Sequence, residues 1–238
     1  MNYELFQLIN NLAGTYTWLD ISMILTVKYL AGCFAALLLL LLGLGIYYKD
    51  KTLLKTSIHT IVFLGIILIT HSIIGFIIQE PRPFVTHTVH LLIPHAADSS
   101  FPSTHAMAMT AIALPIFATY KRLGTILLTG TIVTGCAKVF VGHHYPLDII
   151  MGILITYLLF KVSQNYISSI IDKLLHHPKY NIFRVLANIK QCVRLIKKSI
   201  HPHSRRRSRK IWHKTRITTT FATCCAWHLH AVCRIKNN

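Results

Sequence analysis

The chain has 238 residues, of which 53% are hydrophobic and 13% charged, and its mean hydropathy is +0.50. Soluble domains carry about 25% charged residues, so this composition excludes an ordinary soluble globular protein and points to a membrane setting. The formal net charge of +18 says little about an active site. Residues 1–160 hold Lys28, Lys49, Lys51, Lys55, Arg82, Lys121, Arg122 and Lys138 against Glu4, Asp20, Asp50, Glu80, Asp98 and Asp148, whereas from Lys161 onward Asp172 is the only acid. The excess charge belongs to the tail.

In chain order, residues 2–20 mix apolar and polar side chains and read as an N-terminal interfacial helix. No basic n-region with a cleavage site precedes them, so no removable signal peptide is expected. Crossing a bilayer as a helix takes roughly 20 predominantly apolar residues. Stretches at about residues 21–47, 54–78, 106–119, 123–141 and 147–160 have this character. The third and fifth are short, and each gains a turn if the polar residues flanking it begin the helix. The fold class expected is all-α: a polytopic membrane helical bundle of about five transmembrane helices plus the interfacial helix. A membrane body at 1–165 would be followed by a basic tail at 166–238. Cys33 and Cys136 fall inside spans and read as structural.

Orientation follows from the short connections that carry Lys and Arg. Lys49, Lys51 and Lys55 lie in the first connection, Lys121 and Arg122 in the third, and the basic tail after the fifth span. All three fall on one side, expected to be the cytoplasm. The connections at 79–105 and 142–146 then face outward, and no cysteine lies in them.

Those outward connections hold three polar islands: Pro81-Arg82-Pro83, Phe101-Pro102-Ser103-Thr104-His105, and Lys138 with His143-His144-Tyr145-Pro146-Leu147-Asp148. Phosphoryl transfer requires cations on the phosphate oxygens, a nucleophile and a proton for the leaving oxygen. Arg82 offers a planar fork suited to two phosphate oxygens, held extended by its flanking prolines; alone, it also fits a contact to lipid headgroups. Ser103 is an N-cap that leaves the backbone N–H groups of Thr104 and His105 free for an anion. His105 is placed to protonate a leaving group, though simple capping beside a surface histidine explains this island as well. Pro146 suits the first turn of the last helix. His144 stands just before it, with Asp148 four residues on, where a carboxylate can fix the tautomer of a nucleophilic imidazole. Lys138 is a second cation, or a side chain that snorkels to headgroups.

These islands resemble the type-2 phosphatidic acid phosphatase superfamily, whose signature is Lys-x6-Arg-Pro, Pro-Ser-Gly-His and Ser-Arg-x5-His-x3-Asp. Arg82-Pro83, Pro102-Ser103-Thr104-His105, and Lys138 with His144 and Asp148 match it in order. The run from Glu80-Pro81-Arg82 through His87-Thr88-Val89-His90 and Ile93-Pro94-His95-Ala96-Ala97-Asp98, the opening Met1-Asn2-Tyr3-Glu4, and Val141-Gly142-His143-His144-Tyr145-Pro146 are similar to bacterial undecaprenyl-pyrophosphate phosphatases of the bacitracin-resistance type. The resemblance covers about residues 1–165. It implies a metal-independent, cofactor-free enzyme of the bacterial cytoplasmic membrane that hydrolyses undecaprenyl pyrophosphate on the outer side. His144 would form a phosphohistidine, Asp148 would orient it, His105 would be the general acid, and Arg82, Lys138, Ser103 and Thr104 would bind the phosphate. Phosphatidate, phosphatidylglycerophosphate or lipid A are the alternative substrates.

Gly75 stands where the first signature block has lysine, Thr104 replaces glycine, and Ala137-Lys138 replace Ser-Arg. Two rival readings are a metal site built from His87, His90, His95, His105, His143 and His144, and a catalytically silent protein that binds lipid phosphate. In the tail, Phe183, Leu186, Ile189, Val193 and Ile196 recur at helical spacing among Arg184, Lys190, Arg194 and Lys197, as expected of an amphipathic helix on the anionic inner leaflet. The basic run 205–210 extends that attraction, and lipid is favoured over nucleic acid as its partner. Residues 202–238, with Cys224, Cys225 and Cys233, resist assignment and are expected to be disordered. Because lysine cannot make the two-pronged phosphate contact of arginine, Lys138→Arg is expected to raise kcat/KM on a lipid phosphate several-fold. An unchanged or lower value would contradict Lys138 as a phosphate ligand.

Overall fold

The computed structural model describes residues 2–176. The expectations for the amphipathic segment at 183–197 and for everything beyond it lie outside these residues. Among the described residues every regular element is a helix: α1 (Asn2–Asn10), α2 (Thr17–Tyr48), α3 (Lys51–Ile78), α4 (Pro83–Thr86), α5 (Thr104–Thr119), α6 (Lys121–Phe140) and α7 (Pro146–His176). α2, α3, α6 and α7 are each long and apolar enough to cross a membrane.

α5 has 16 residues and, at 1.5 Å per residue, a length of about 24 Å, short of a full crossing. Its position compensates. α5 packs against α2, α3, α6 and α7, and almost every side chain from Ala106 to Ile116 is buried. A helix enclosed by its neighbours does not have to match the bilayer with its own length. One core cluster joins Met107, Ala111 and Leu114 of α5 to Phe63 and Ile67 of α3 and Phe160 and Ile167 of α7. Another joins Met109, Ile112 and Ile116 to Phe34 and Leu38 of α2 and Leu127 of α6.

Local chemistry sets the helix limits. Asp50 caps α3 by accepting from the backbone N–H of Thr52 and Leu53, as an N-cap carboxylate does. Lys49 and Gln79 end α2 and α3 in the left-handed conformation. α5 and α6 are joined by Tyr120 alone, a reversal that needs glycine at 124, where a Cβ would overlap the backbone of Phe117. The structure begins α2 at Thr17, so the N-terminal segment is the nine-residue α1 and a turn, shorter than the sequence reading to residue 20. α7 runs on through Ile167 and Ile171 of the core to His176, and Asp172 there pairs with Lys55 of α3 at 2.6 Å.

The antiparallel course of the helices brings the C-terminal ends of α3 and α6 and the N-terminal ends of α5 and α7 to the same end of the bundle. α1 packs there as well. Buried Asn10 ties it down: its Nδ2 donates to the carbonyls of Phe140 at 2.8 Å and His90 at 2.9 Å, and its Oδ1 accepts from the His90 N–H at 2.9 Å. This clasp joins α1 to the end of α6 and to the connection at 87–103.

Candidate active site

The three polar islands meet at this end. Arg82 comes from the start of α4, Ser103, Thr104 and His105 from the start of α5, Lys138 from the last turn of α6, and His144 and Asp148 from the α6–α7 turn and the first turn of α7. Arg82 and Lys138 are each 3% exposed, His144 2% and Asp148 1%. Burying ionisable groups this deeply is costly without partners; Arg82, His144 and Asp148 have them, whereas Lys138 has no acceptor among the described residues. The α6–α7 turn depends on Gly142, whose φ is +89° and whose Cβ position would meet the His90 carbonyl at 3.0 Å. Only glycine adopts that geometry without cost. It allows the His143 N–H to close back on the Lys138 carbonyl at 3.0 Å.

The tautomer of His144 follows from its neighbours. Nδ1 lies 2.9 Å from the carbonyl oxygen of Ser100, which only accepts, so Nδ1 carries the proton. Nε2 lies 3.1 Å from Nη1 of Arg82, which only donates, so Nε2 holds a lone pair. Burial lowers the His144 pKa to about 4, the nearby Arg82 charge adding to that effect while Asp148 opposes it. The ring is therefore neutral at neutral pH, with its unprotonated nitrogen turned toward a cation.

Asp148 acts differently from the direct hydrogen bond expected from its spacing to His144. Its Oδ2 is 3.5 Å from Nδ1, beyond a good hydrogen bond, and it accepts instead from the Tyr145 N–H at 2.9 Å and the Ser100 hydroxyl at 2.5 Å. Ser100 is thus the hinge of the arrangement: its carbonyl holds His144, its hydroxyl holds Asp148, and its N–H donates to the Glu80 carbonyl at 2.7 Å. Nothing in the sequence reading singled it out.

Arg82 is fixed by three contacts: Nε donates to Asp98 Oδ1 at 2.7 Å, and Nη1 donates to the His143 carbonyl at 3.0 Å as well as to His144. Asp98 is 63% exposed. Partial desolvation pushes its carboxyl up, but the hydrogen bond and charge of Arg82 outweigh that and hold it below the usual range. A bound phosphate would meet the same guanidinium that Asp98 now occupies.

Ser103 sits where an N-cap is expected, its hydroxyl accepting from the Ala106 N–H at 3.5 Å, and its own N–H donates to the Asp148 carbonyl at 3.2 Å. The starts of α5 and α7 are therefore bonded to each other. The Thr104 hydroxyl pairs with Nε2 of His71 on α3 at 2.7 Å. His71 is a second residue that the sequence reading did not find, one turn before Gly75 on α3. His105 is half-buried and within electrostatic reach of Lys138, His144 and Arg82. Among the described residues, no acceptor lies within hydrogen-bonding distance of Lys138 Nζ or the His105 ring.

Of the other histidines, His143 donates from Nε2 to the Ile93 carbonyl at 2.9 Å, leaves Nδ1 buried without a partner, and stacks edge-on against His95 at 4.6 Å. His87 stacks on Tyr3 at 3.8 Å. Among the described residues, no three His, Cys, Asp or Glu side chains are grouped so that they could hold a metal ion. The site therefore joins two cations, a helix start, a neutral imidazole whose lone pair faces Arg82 and a second imidazole lacking a hydrogen-bond partner. These are the elements needed to bind a phosphate and attack it.

Residues 56–170 match the PAP2 superfamily. Undecaprenyl-diphosphatase BcrC of Bacillus subtilis is 36% identical over 167 residues, spanning 68% of this chain and 84% of that protein. The bacitracin transport permease protein BcrC of Bacillus licheniformis is 29% identical over 158 residues, spanning 65% and 75%. The crystal structure of Aquifex aeolicus LpxE superposes with a TM-score of 0.56 at 30% identity, covering 69% of this chain and 95% of that one. The chain belongs to the PAP2 superfamily.

Proposed function

We propose that this protein is an undecaprenyl-diphosphate phosphatase that hydrolyses undecaprenyl pyrophosphate to undecaprenyl phosphate through a phosphohistidine on His144. The observation that carries the reading is the assigned tautomer. His144 presents an unprotonated Nε2 beside Arg82, while the Ser100 carbonyl holds the opposite edge of the ring and Asp148 holds the Ser100 hydroxyl. The relative named for this activity is 36% identical to the chain over 167 residues.

In the proposed reaction the terminal phosphate enters between Arg82, Lys138 and the free N–H groups at the start of α5, drawing Arg82 away from Nε2. The Nε2 lone pair attacks the terminal phosphorus, and the bond to the bridging oxygen breaks. Burial, and next the neighbouring cations, keep His105 neutral in the empty site; the negative charge of the bound phosphate offsets them, so that His105 takes up a proton from solvent and gives it to that oxygen as undecaprenyl phosphate leaves. His105, now neutral, takes a proton from water as the water attacks phosphohistidine, which releases inorganic phosphate and restores both imidazoles. Asp148 stabilises the charge that the His144 ring gains on attack. Arg82 and Lys138 neutralise the phosphate oxygens, and neither a metal nor a cofactor takes part.

We infer from the short basic connections that the site faces the outer side of a bacterial cytoplasmic membrane, with the C-terminal tail in the cytoplasm against anionic lipid. On this reading the protein contributes to cell-wall lipid recycling and bacitracin resistance, binds no nucleic acid, and has a lipid phosphate as its principal partner.

Phosphate release by the purified protein from undecaprenyl pyrophosphate, phosphatidate, phosphatidylglycerophosphate and lipid A tests this. Undecaprenyl pyrophosphate is expected to be the best substrate, with turnover abolished in His144→Ala and blocked by vanadate. Preference for another lipid, or unchanged turnover in His144→Ala, would refute it. Ser100→Ala removes a buried hydrogen bond to a carboxylate, a loss of about 1.5–3 kcal/mol, so kcat is expected to fall roughly ten- to hundredfold with little change in KM. Wild-type kcat in that variant would show that the Ser100 hydroxyl does not position the nucleophile.

A further inference from the structure

The end of the bundle opposite the active site carries a second cluster of cations that the chemistry above leaves unused. α6 starts there with no side-chain cap and no acid in its first turn, and its first two residues are Lys121 and Arg122. The unpaired N–H groups and dipole at a helix start favour anions and disfavour cations. Basic residues at a membrane end are ordinary, but two of them at an uncapped helix start call for a counter-charge. The Asp50 carboxylate lies within electrostatic reach of Tyr120, but it already accepts from the N–H groups of Thr52 and Leu53.

Two apolar grooves flank this helix start. One, of about 700 Å³, lies between α5, α6 and α7 and runs from Ile150, about one turn from the start of α7, to Lys121, Lys161 and Gln164. The other, of about 520 Å³, is lined by Leu41, Leu53 and Leu123 and has Lys121 and Arg122 at its edge. Both lie within the size range of lipid- and ligand-binding cavities, and no acid lines either. Lys121 belongs to both. Its Nζ folds 4.1 Å above the Phe117 ring, and the Nζ of Lys161 lies 5.6 Å from that of Tyr157. Among the described residues neither lysine has a carboxylate partner.

Two apolar grooves diverging from one cationic point match the shape and charge of a two-chain lipid with an anionic head. We propose that this end of the bundle binds an anionic diacyl phospholipid, its phosphate held by Lys121, Arg122 and Lys161 and one acyl chain in each groove. The cationic end of the site lies opposite the active site whichever way the protein is inserted, because α6 begins at Lys121 and ends next to the catalytic turn. It requires a membrane and is independent of which lipid phosphate is hydrolysed. A basic side chain at an anionic surface contributes about fivefold in affinity, the ~1 kcal/mol typical of such a contact.

The test is native mass spectrometry of the full chain in detergent with phosphatidylglycerol or phosphatidylcholine of identical acyl chains. Retention of phosphatidylglycerol at least tenfold over phosphatidylcholine is expected, accompanied by a rise in Tm that glycerol phosphate alone does not produce. The combined variant Lys121→Gln, Arg122→Gln, Lys161→Gln changes only exposed side chains and is expected to lose that preference while keeping its turnover in phosphatidylcholine. Leu128→Trp, which fills the larger groove and keeps every cation, is expected to weaken retention of both lipids. Equal retention of the two lipids by the wild type, or an undiminished preference in the triple variant, would overturn the proposal. Displacement of phosphatidylglycerol by a polyprenyl phosphate would also overturn it, by assigning the grooves to the substrate's own chain.

Discussion

The hydrogen bond from the His144 ring to the Ser100 carbonyl is the contact on which the site depends. It fixes the proton on Nδ1 and leaves the lone pair on Nε2 facing Arg82. A mobile imidazole in a buried setting would sample both tautomers and only one would be reactive. Three separated stretches of chain maintain this arrangement: the connection at 79–103 brings Arg82 and Ser100, the α6–α7 turn brings His144, and α7 brings Asp148. Each buried polar group left without its partner would cost about 1–3 kcal/mol, so the network tends to form as a whole or not at all.

The bundle supplies rigidity for that purpose. α5 is enclosed by its neighbours and starts at the Ser103-Thr104-His105 stretch, so a well-packed core fixes the position of the proposed anion site. Bonding of the Ser103 N–H to the Asp148 carbonyl and of Thr104 to His71 locks that helix start to α7 and α3. Asn10 performs a similar task from α1, holding the 87–103 connection against the end of α6. Asp98 in turn holds Arg82 while leaving most of its own surface in water, which suits a contact that a phosphate displaces.

The helices were legible in the sequence because long apolar runs admit few other structures, and their ends shifted only where motif residues or local turns extended or shortened them. α7 exceeded its expected span because Ile167, Ile171 and the Asp172–Lys55 pair extend the packing. The residues gathered at the site, Arg82, Ser103, Thr104, His105, Lys138, His144 and Asp148, were legible because they are rare polar groups placed at the ends of apolar segments. Ser100, Asp98 as a partner of Arg82, His71 and Asn10 were not. Ser100 acts largely through its backbone carbonyl, which leaves no mark in a sequence, and its partners are 44 and 48 residues away. His71 and Asn10 lie among ordinary helical residues and meet their partners only across the fold. Asp148 at four residues from His144 suggested a direct bond, but the intervening Ser100 carbonyl takes the ring proton.

The central claim is that His144 attacks phosphorus through Nε2. Incubating the purified protein with undecaprenyl pyrophosphate labelled on its terminal phosphate, quenching in alkali and mapping the labelled peptide tests this most directly. An alkali-stable, acid-labile phosphate on His144, absent in His144→Ala and lost as water hydrolyses it, is the result expected. Label that never resides on the protein, or that maps to a residue other than His144, would contradict it.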